Sequence, residues 1–256
     1  MEIVIIGTGN VATVMGKKIL GAGHKILQVA GRNVAATKIL GETLGAEDIV
    51  LGRGINQTAD VYIIAVTDRS IAEITEQFQL KENIVAHTAG SVSKDVLKRV
   101  SENYGVFYPL QTLRKEEQSL PEIPILYDGN NDHTKNKLHS LAISISPLHT
   151  AYANDESRLK MHVAAVIVNN FSNHLYTLTA NYCNREKIDF RQLYPLIRET
   201  ANRINAISPY ESQTGPALRN DKETIGKHLL LLENYPELKQ VYTFLTESII
   251  KSHKDS

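Results

Sequence analysis

The hydrophobic pattern of the chain changes its period near the middle. In the first part, short runs of β-branched residues alternate with stretches whose apolar positions recur at helical spacing. This order is typical of βαβ units around a mostly parallel sheet. We predict helices that begin near residues 11, 34, 70, 94 and 133, and strands at Ile3–Ile6, Ile26–Ala30, Val61–Val66, Ile84–His87, Gly105–Tyr108, Ile123–Tyr127 and Ser146–Thr150.

After Ala153 the strand signals stop. Only helical patterns follow, at about residues 157–185, 190–206, 221–233 and 236–251. The pattern therefore predicts an α/β protein with a mostly parallel sheet domain at residues 1–153 and an all-helical domain at residues 154–256.

A glycine-rich turn follows the first predicted strand and opens the first predicted helix. Its pattern, Gly-x-Gly-x-x-Ala, is typical in this context of the Rossmann-type dinucleotide fingerprint. Glycine permits the tight turn and the close approach of a phosphate, and the helix N-terminus offers free N–H groups to the anion. The alternative is a tight turn that binds no nucleotide. We predict that a pyrophosphate binds at Gly7, Thr8, Gly9, Asn10, Val11 and Ala12.

The end of the second predicted strand carries no carboxylate. An NAD-preferring protein usually places Asp or Glu there to bind the ribose 2′-OH, whereas this chain has Gly31, Arg32 and Asn33. Arg32 can pair with a 2′-phosphate, and Asn33 can donate a hydrogen bond to it. The sequence therefore favours NADP(H) over NAD and over S-adenosylmethionine. The alternative is that Arg32 is a solvated loop cation.

Two further loops are expected at the same edge of the sheet. Val66 and Thr67 follow the third predicted strand, and Ser91 follows the fourth after two small residues. Open α/β folds bind ligands at the carboxyl ends of their strands, so we assign Val66, Thr67 and Ser91 to the cofactor. Thr67 and Asp68 could instead cap the helix predicted to begin at Ser70.

These turns and the helical second part resemble the superfamily of 6-phosphogluconate dehydrogenase, ketopantoate reductase and pyrroline-5-carboxylate reductase. Three more segments resemble, more specifically, a Rossmann-like family of NADP oxidoreductases whose helical C-terminal domain has no known function. They are residues 87–91 (HTAGS), 108–112 (YPLQT) and 214–221 (TGPALRND). The resemblance spans nearly the whole chain and implies the fold and an NADP(H) cofactor.

The first helix of the second part supplies candidate catalytic residues. Hydroxyacid dehydrogenases and ketopantoate reductases carry Lys and Asn four residues apart there, whereas Lys160 is followed by Ala164. His162 and Asn170 lie on a predicted polar stripe of this helix, and His87 ends a strand. A histidine can protonate a carbonyl or an imine near neutral pH. We therefore take His162, His87 and Asn170 as catalytic candidates; alternatively, each histidine only lines the cleft or is held by the backbone.

Four residues are candidates for substrate binding. Tyr108 and Gln111 lie in the second resembling segment, and Thr214 and Arg219 lie in the third. A loop cation can anchor a substrate carboxylate, although Arg219 could equally pair with Asp221. The spacing of His and Cys residues indicates no metal site.

Composition narrows the expected partners. The 28 basic residues balance the 28 acidic ones, which argues against nucleic acid and anionic membranes as partners. The single cysteine and the absence of a signal-peptide pattern lead us to expect a cytoplasmic protein. The helical part contains amphipathic stretches of the kind that related reductases use for dimerisation, so we expect a homodimer.

The sequence thus predicts an NADP(H)-dependent oxidoreductase. It would transfer hydride between the nicotinamide and a small carbonyl, imine or hydroxy compound in an interdomain cleft. The alternative is a non-catalytic NADP-binding sensor or interaction protein, a function that the missing Lys–Asn pair would fit.

Overall fold

The structure is a computed structural model that describes residues 1–117 and 119–254. Its strands are β1 (Glu2–Ile6), β2 (Lys25–Gly31), β3 (Glu47–Val50), β4 (Val61–Ile64), β5 (Ile84–His87), β6 (Tyr104–Pro109), β7 (Ile125–Gly129) and β8 (Thr150–Tyr152). In the described part of the chain they form one eight-stranded sheet in the order β3-β2-β1-β4-β5-β6-β7-β8. Neighbouring strands are parallel except for β6 and β7. The predicted α/β fold is confirmed.

Helices connect these strands and make up the rest of the chain. The helices of the sheet region are α1 (Asn10–Gly21), α2 (Val34–Leu44), α3 (Asp68–Thr75) and α4 (Asp132–Ile145). The later helices are α5 (Asp155–Ala165), α6 (Ser172–Arg185), α7 (Tyr194–Arg203), α8 (Lys222–Leu231) and α9 (Pro236–Ser252). Short 3₁₀ helices lie at Lys94–Leu97 and Phe190–Leu193, and a π-helical turn spans Val166–Phe171.

Apolar cores cover both faces of the sheet, as strand β1 illustrates. Ile3 and Ile5 lie in one buried cluster with residues of α1, α2 and α4, whereas Val4 and Ile6 lie in a second cluster with residues of α3. A strand buried on both faces appears in the sequence as a continuous apolar run. This is why β1 and β4 could be recognised from sequence, and why their carboxyl ends define one edge of the sheet.

Two strands differ from the prediction by more than two residues at an end. Strand β3 was not predicted, because it lies at the edge of the sheet and its sequence, EDIV, begins with two exposed acidic residues. The strand predicted at Ser146–Thr150 is observed at Thr150–Tyr152 instead, because Ser146 follows α4 as its C-cap.

The helix predicted over residues 157–185 is not one regular α-helix. The π-helical turn at Val166–Phe171 separates α5 from α6. Hydrogen bonds in such a turn join residues five apart, so the α-helical spacing of side chains does not continue through it.

The described chain forms two compact units. The first is Met1–Ile167 and the second begins at Val168. Helix α5 therefore belongs to the first unit. The boundary between a cofactor-binding domain and a helical domain at residues 153 and 154 stays a prediction. None of the described helices combines the length and the apolar character that crossing a membrane requires.

Candidate functional site

A cavity of about 470 Å³ opens in the first unit at the carboxyl ends of β1, β2 and β4. Its wall contains every residue predicted to bind the cofactor except Ala12 and Ser91. Ala12 is fully buried in the core instead, and Ser91 lies in the loop after β5. The lining residues are Ile6, Gly7, Thr8, Gly9, Asn10, Val11, Ala30, Gly31, Arg32, Asn33, Leu51, Ala65, Val66, Thr67 and Ile74.

The glycines of this wall serve different purposes. Gly7 has a φ of +127°, and a Cβ there would lie 2.1 Å from the carbonyl oxygen of Ala65. A Cβ at Gly31 would lie 2.3 Å from Thr37 Oγ1. At Gly9, in contrast, an added Cβ would meet nothing within 4 Å. Gly9 precedes α1, whose first N–H groups have no partner within the helix, so the backbone is open where a phosphate would approach.

Arg32 lies at the cavity and already contacts an acid. Its Nη1 is 3.3 Å from Glu73 Oε2, and its Nη2 donates to Ser70 Oγ at 3.2 Å. The contact with Glu73 could not be predicted from the residues directly after β2, because Glu73 comes from α3, 41 positions along the chain. The side chains of Arg32 and Glu73 are 55% and 61% exposed. An exposed ion pair of this kind is weak, so a phosphate dianion can replace the carboxylate.

Asn33 has a structural role beside Arg32. Its Oδ1 accepts a hydrogen bond from the N–H of Ala36 at 2.9 Å and so caps α2. The amide nitrogen of Asn33 is the part of the side chain that would donate to a phosphate.

A hydrogen bond joins the loops that follow β4 and β5. Ser91 Oγ donates to Asp68 Oδ2 at 2.6 Å. Asp68 is the first residue of α3, which therefore begins two residues before the predicted start. Thr67 holds the N-cap position, but its Oγ1 contacts Ser70 Oγ at 3.0 Å and makes no capping bond to a backbone N–H.

Tyr108 and His162 form a hydrogen-bonded pair in the first unit. The phenol oxygen lies 2.9 Å from His162 Nδ1, and the ring planes meet at 75°. Both rings pack on Gly90, where a Cβ would lie 2.9 Å from Tyr108 Cζ and 3.0 Å from His162 Cγ. The small residue in the loop after β5 therefore makes room for the pair, and Nε2 of His162 is the ring nitrogen left for a substrate.

His87 is in a different environment. Its side chain is fully buried, its Nδ1 accepts from the N–H of Ala89 at 3.2 Å, and its Nε2 lies 3.3 Å from the carbonyl oxygen of Ser93. Burial, with a smaller contribution from the charge of Arg158, lowers the pKa of His87 to about 4. His87 is therefore neutral at pH 7 and held by the backbone, which favours His162 as the proton donor.

The low pKa of His87 predicts acid sensitivity of the fold. Its ordinary pKa is 6.5 and its folded pKa is about 4, so between these pH values the unfolded chain binds more protons. Stability is then lost as the pH falls from 6.5 towards 4, by up to roughly 3 kcal/mol. We expect chemical denaturation of the His87→Asn variant to show a weaker loss over this range. A matched His133→Asn change, at an exposed histidine, should keep the wild-type slope, and equal slopes in all three proteins would contradict the assignment.

Arg158 is a buried cation beside these groups that the sequence analysis did not identify. Arg158 is 1% exposed. Its Nη2 donates to Asp155 Oδ1 at 2.8 Å and to the carbonyl oxygen of Val92. Asp155 also accepts from Ser93 Oγ. The loop after β5 is therefore tied to the start of α5. The spacing of Asp155 and Arg158 suggests an ion pair on one helix face, but nothing local to the sequence indicates that it is buried.

Asn170 lies in the second unit, exposed on the π-helical turn. Its predicted place on one stripe with His162 assumed a continuous α-helix, and the structure does not have that spacing. Lys160, the lysine left without an asparagine four residues later, is exposed and donates to Glu156 Oε1 at 2.6 Å. The helix therefore offers His162 rather than Lys160 for proton transfer.

Thr214 and Arg219 are exposed in the loop between α7 and α8. Asp221 caps α8 by accepting hydrogen bonds from the N–H and Oγ1 of Thr224 at 3.0 and 2.8 Å. The carboxylate therefore stabilises the helix start. Anchoring of a substrate by Thr214 or Arg219 stays a prediction.

The side chain of Gln111 makes hydrogen bonds within its own loop. Its Nε2 donates to the carbonyl oxygen of Glu122 at 3.2 Å, and its Oε1 accepts from the N–H of Thr112 at 2.9 Å. A substrate that binds Gln111 would have to compete with these two hydrogen bonds. Within residues 1–117 and 119–254, no three His, Cys, Asp or Glu side chains come together as a metal site.

Comparisons with known proteins agree with this architecture. A family model described as a Rossmann-like domain matches residues 1–111, and one described as Domain of unknown function (DUF2520) matches residues 123–249. The chain is 33% identical to the "putative NADP oxidoreductase BF3122" from Bacteroides fragilis. The match covers 98% of both chains with a TM-score of 0.89.

More distant structures share the fold alone. An imine reductase from Myxococcus stipitatus in complex with NADP+ is 13% identical, with a TM-score of 0.63 over 100% of this chain and 93% of that one. A 1-pyrroline-5-carboxylate reductase from Streptococcus pyogenes is 15% identical, with a TM-score of 0.63 over 100% and 99%. No curated protein matches the sequence. The chain belongs to the family that joins a Rossmann-like domain to a DUF2520 domain, the same family as BF3122.

Proposed function

We propose that this protein is an NADP(H)-dependent oxidoreductase that moves hydride between the nicotinamide and a small carbonyl, imine or hydroxy compound. The observation that carries the proposal is the cavity at the strand ends, which has the glycine turn on one side and Arg32 on the other. The name of BF3122 and the NADP+ bound to the Myxococcus imine reductase support the same cofactor.

The residues present fit this cofactor. The open backbone at Gly9 and the first N–H groups of α1 suit a pyrophosphate. Arg32 and Ser70 offer donors to a 2′-phosphate once the guanidinium leaves Glu73. Bound NADPH would supply the hydride. The protein's own part is to hold the cofactor and to provide a proton, which we assign to Nε2 of His162.

Cofactor choice can be tested at Arg32. In the Arg32→Gln variant we expect the Kd for NADPH to rise by about 10- to 100-fold, because charge-assisted bonds to the phosphate are lost, while the Kd for NADH stays unchanged. The Glu73→Gln variant removes the competing carboxylate and should tighten NADPH binding by roughly two- to fivefold. Fluorescence titration of both cofactors measures this. Equal weakening of NADPH and NADH by Arg32→Gln would contradict a contact with the 2′-phosphate.

Enzymatic function is tested by NADPH consumption across 2-keto acids, ketones and cyclic imines. We expect turnover on at least one of these classes. Tight NADPH binding without turnover on any of them would favour a sensor instead. Asn170, Thr214 and Arg219 remain proposed contacts of the substrate, and their substitution should then raise KM.

A homodimer is part of the same proposal. The second unit exposes large apolar side chains that a second copy would cover. They include Val168, Phe171, Leu196, Leu230, Leu231 and Phe244.

A further inference from the structure

We propose that Tyr108 and His162 act as a proton relay in which the phenol recharges the imidazole, and that the buried guanidinium of Arg158 stabilises the phenolate that results. The inference rests on the proposed reductase function and names how its proton is supplied. Tyr108 is then a positioning residue that acts through His162 rather than the predicted substrate contact.

The relay uses the hydrogen bond between the two rings. Tyr108 Oη and His162 Nδ1 are 2.9 Å apart. Burial, and then the charge of Asp68, raise the pKa of Tyr108, while Arg158 opposes them. The phenol therefore keeps its proton at neutral pH, and the relay has the phenol donate this proton to Nδ1. An imidazole that accepts at Nδ1 carries its own proton on Nε2, the nitrogen that faces away from the phenol.

The reduction needs one hydride and one proton, and the proton is replaced from water. Bound NADPH would supply hydride to the electrophilic carbon of a C=O or C=N group, and the oxygen or nitrogen of that group would take the proton from His162 Nε2. The imidazole then takes the phenol proton at Nδ1. Tyr108 is left as a phenolate, which takes the Nδ1 proton back after the product leaves, while Nε2 gains a proton from water.

Arg158 supplies the charge that such a step requires. It lies four residues before His162, on the same face of α5. Its Nε and Nη1 are buried without a hydrogen-bond partner among the residues that the structure describes. Buried N–H groups of a cation are costly to leave unpaired. A negative charge that forms on Tyr108 during turnover would offset part of this cost, whereas Asp68 acts against it.

The experiment is ¹⁵N NMR of the His162 ring, combined with turnover on the best substrate of the carbonyl and imine panel. The relay predicts the Nε2–H tautomer in the wild-type protein and a mixture of tautomers in Tyr108→Phe. It also predicts that kcat falls about tenfold or more in Tyr108→Phe while the Kd for NADPH is unchanged. The matched control is Tyr127→Phe, since Tyr127 stacks on His139 at 5.0 Å between ring centroids; it should leave both the His162 spectrum and kcat unchanged.

The possible failures are distinguishable. An Nδ1–H tautomer in the wild-type protein would by itself overturn the relay. A Tyr108→Phe variant with the kcat of the wild type would also overturn it. Absence of NADPH binding in the wild-type protein would overturn the proposed function instead, and the tautomer spectrum is read independently of it.

Discussion

Replacing His162 with glutamine lowers kcat for NADPH-dependent reduction by about 10²- to 10⁴-fold, the usual contribution of general acid–base catalysis. Glutamine keeps a polar side chain beside Tyr108, but its amide is not acidic enough to release a proton. His162 lies outside the cavity of the glycine turn, so the Kd for NADPH should change by no more than about twofold. Steady-state kinetics and cofactor titration on the same preparation measure the two effects.

The chain provides a matched control for this change. His228 of the second unit also contacts a tyrosine hydroxyl through Nδ1, at 2.8 Å from Tyr242. His228→Gln therefore removes a histidine–tyrosine bond of the same type, and we expect it to keep wild-type kcat. If His162→Gln retains more than about half of the activity, His162 is not the proton donor.

The second large effect is expected at Gly7. In Gly7→Ala the new Cβ would lie 2.1 Å from the carbonyl oxygen of Ala65, at a φ of +127° that alanine rarely adopts. The turn must shift, at a cost of roughly 3 kcal/mol or more. For a chain of this size that corresponds to a Tm lower by about 10 °C. Differential scanning calorimetry of the cofactor-free protein measures it.

Gly9→Ala separates stability from binding at the same turn. Nothing lies within 4 Å of its Cβ position, so Tm should remain within about 2 °C of the wild type. NADPH affinity should fall by about tenfold or more, because the methyl group occupies the space in which a phosphate approaches. A Gly9→Ala variant that binds NADPH normally would place the pyrophosphate elsewhere.

The glycine turn was predictable because its signals are local. A buried strand, two glycines at fixed spacing and a helix start lie within a dozen residues, and the backbone geometry of Gly7 follows from them. Arg32 was predictable for the same reason, since it directly follows β2. The structure brings both to one cavity, as the topology of parallel strands requires.

The contacts that refine the site come from residues far apart in the chain. Glu73 contacts Arg32 from α3, 41 positions along the chain, and Tyr108 contacts His162 across 54 positions. The sequence suggested both members of the second pair, but for different roles. Arg158 could not be found in this way, because an arginine near a helix start is ordinarily exposed. The burial that distinguishes it depends on the packing of the whole unit.

The most direct test of the central claim is the affinity of the wild-type protein for NADPH and NADH, measured by calorimetric titration at one ionic strength. The cavity with Arg32 at its rim predicts that NADPH binds at least about tenfold more tightly than NADH, since only NADPH carries the 2′-phosphate. Equal affinities, or no binding of either cofactor, would contradict it.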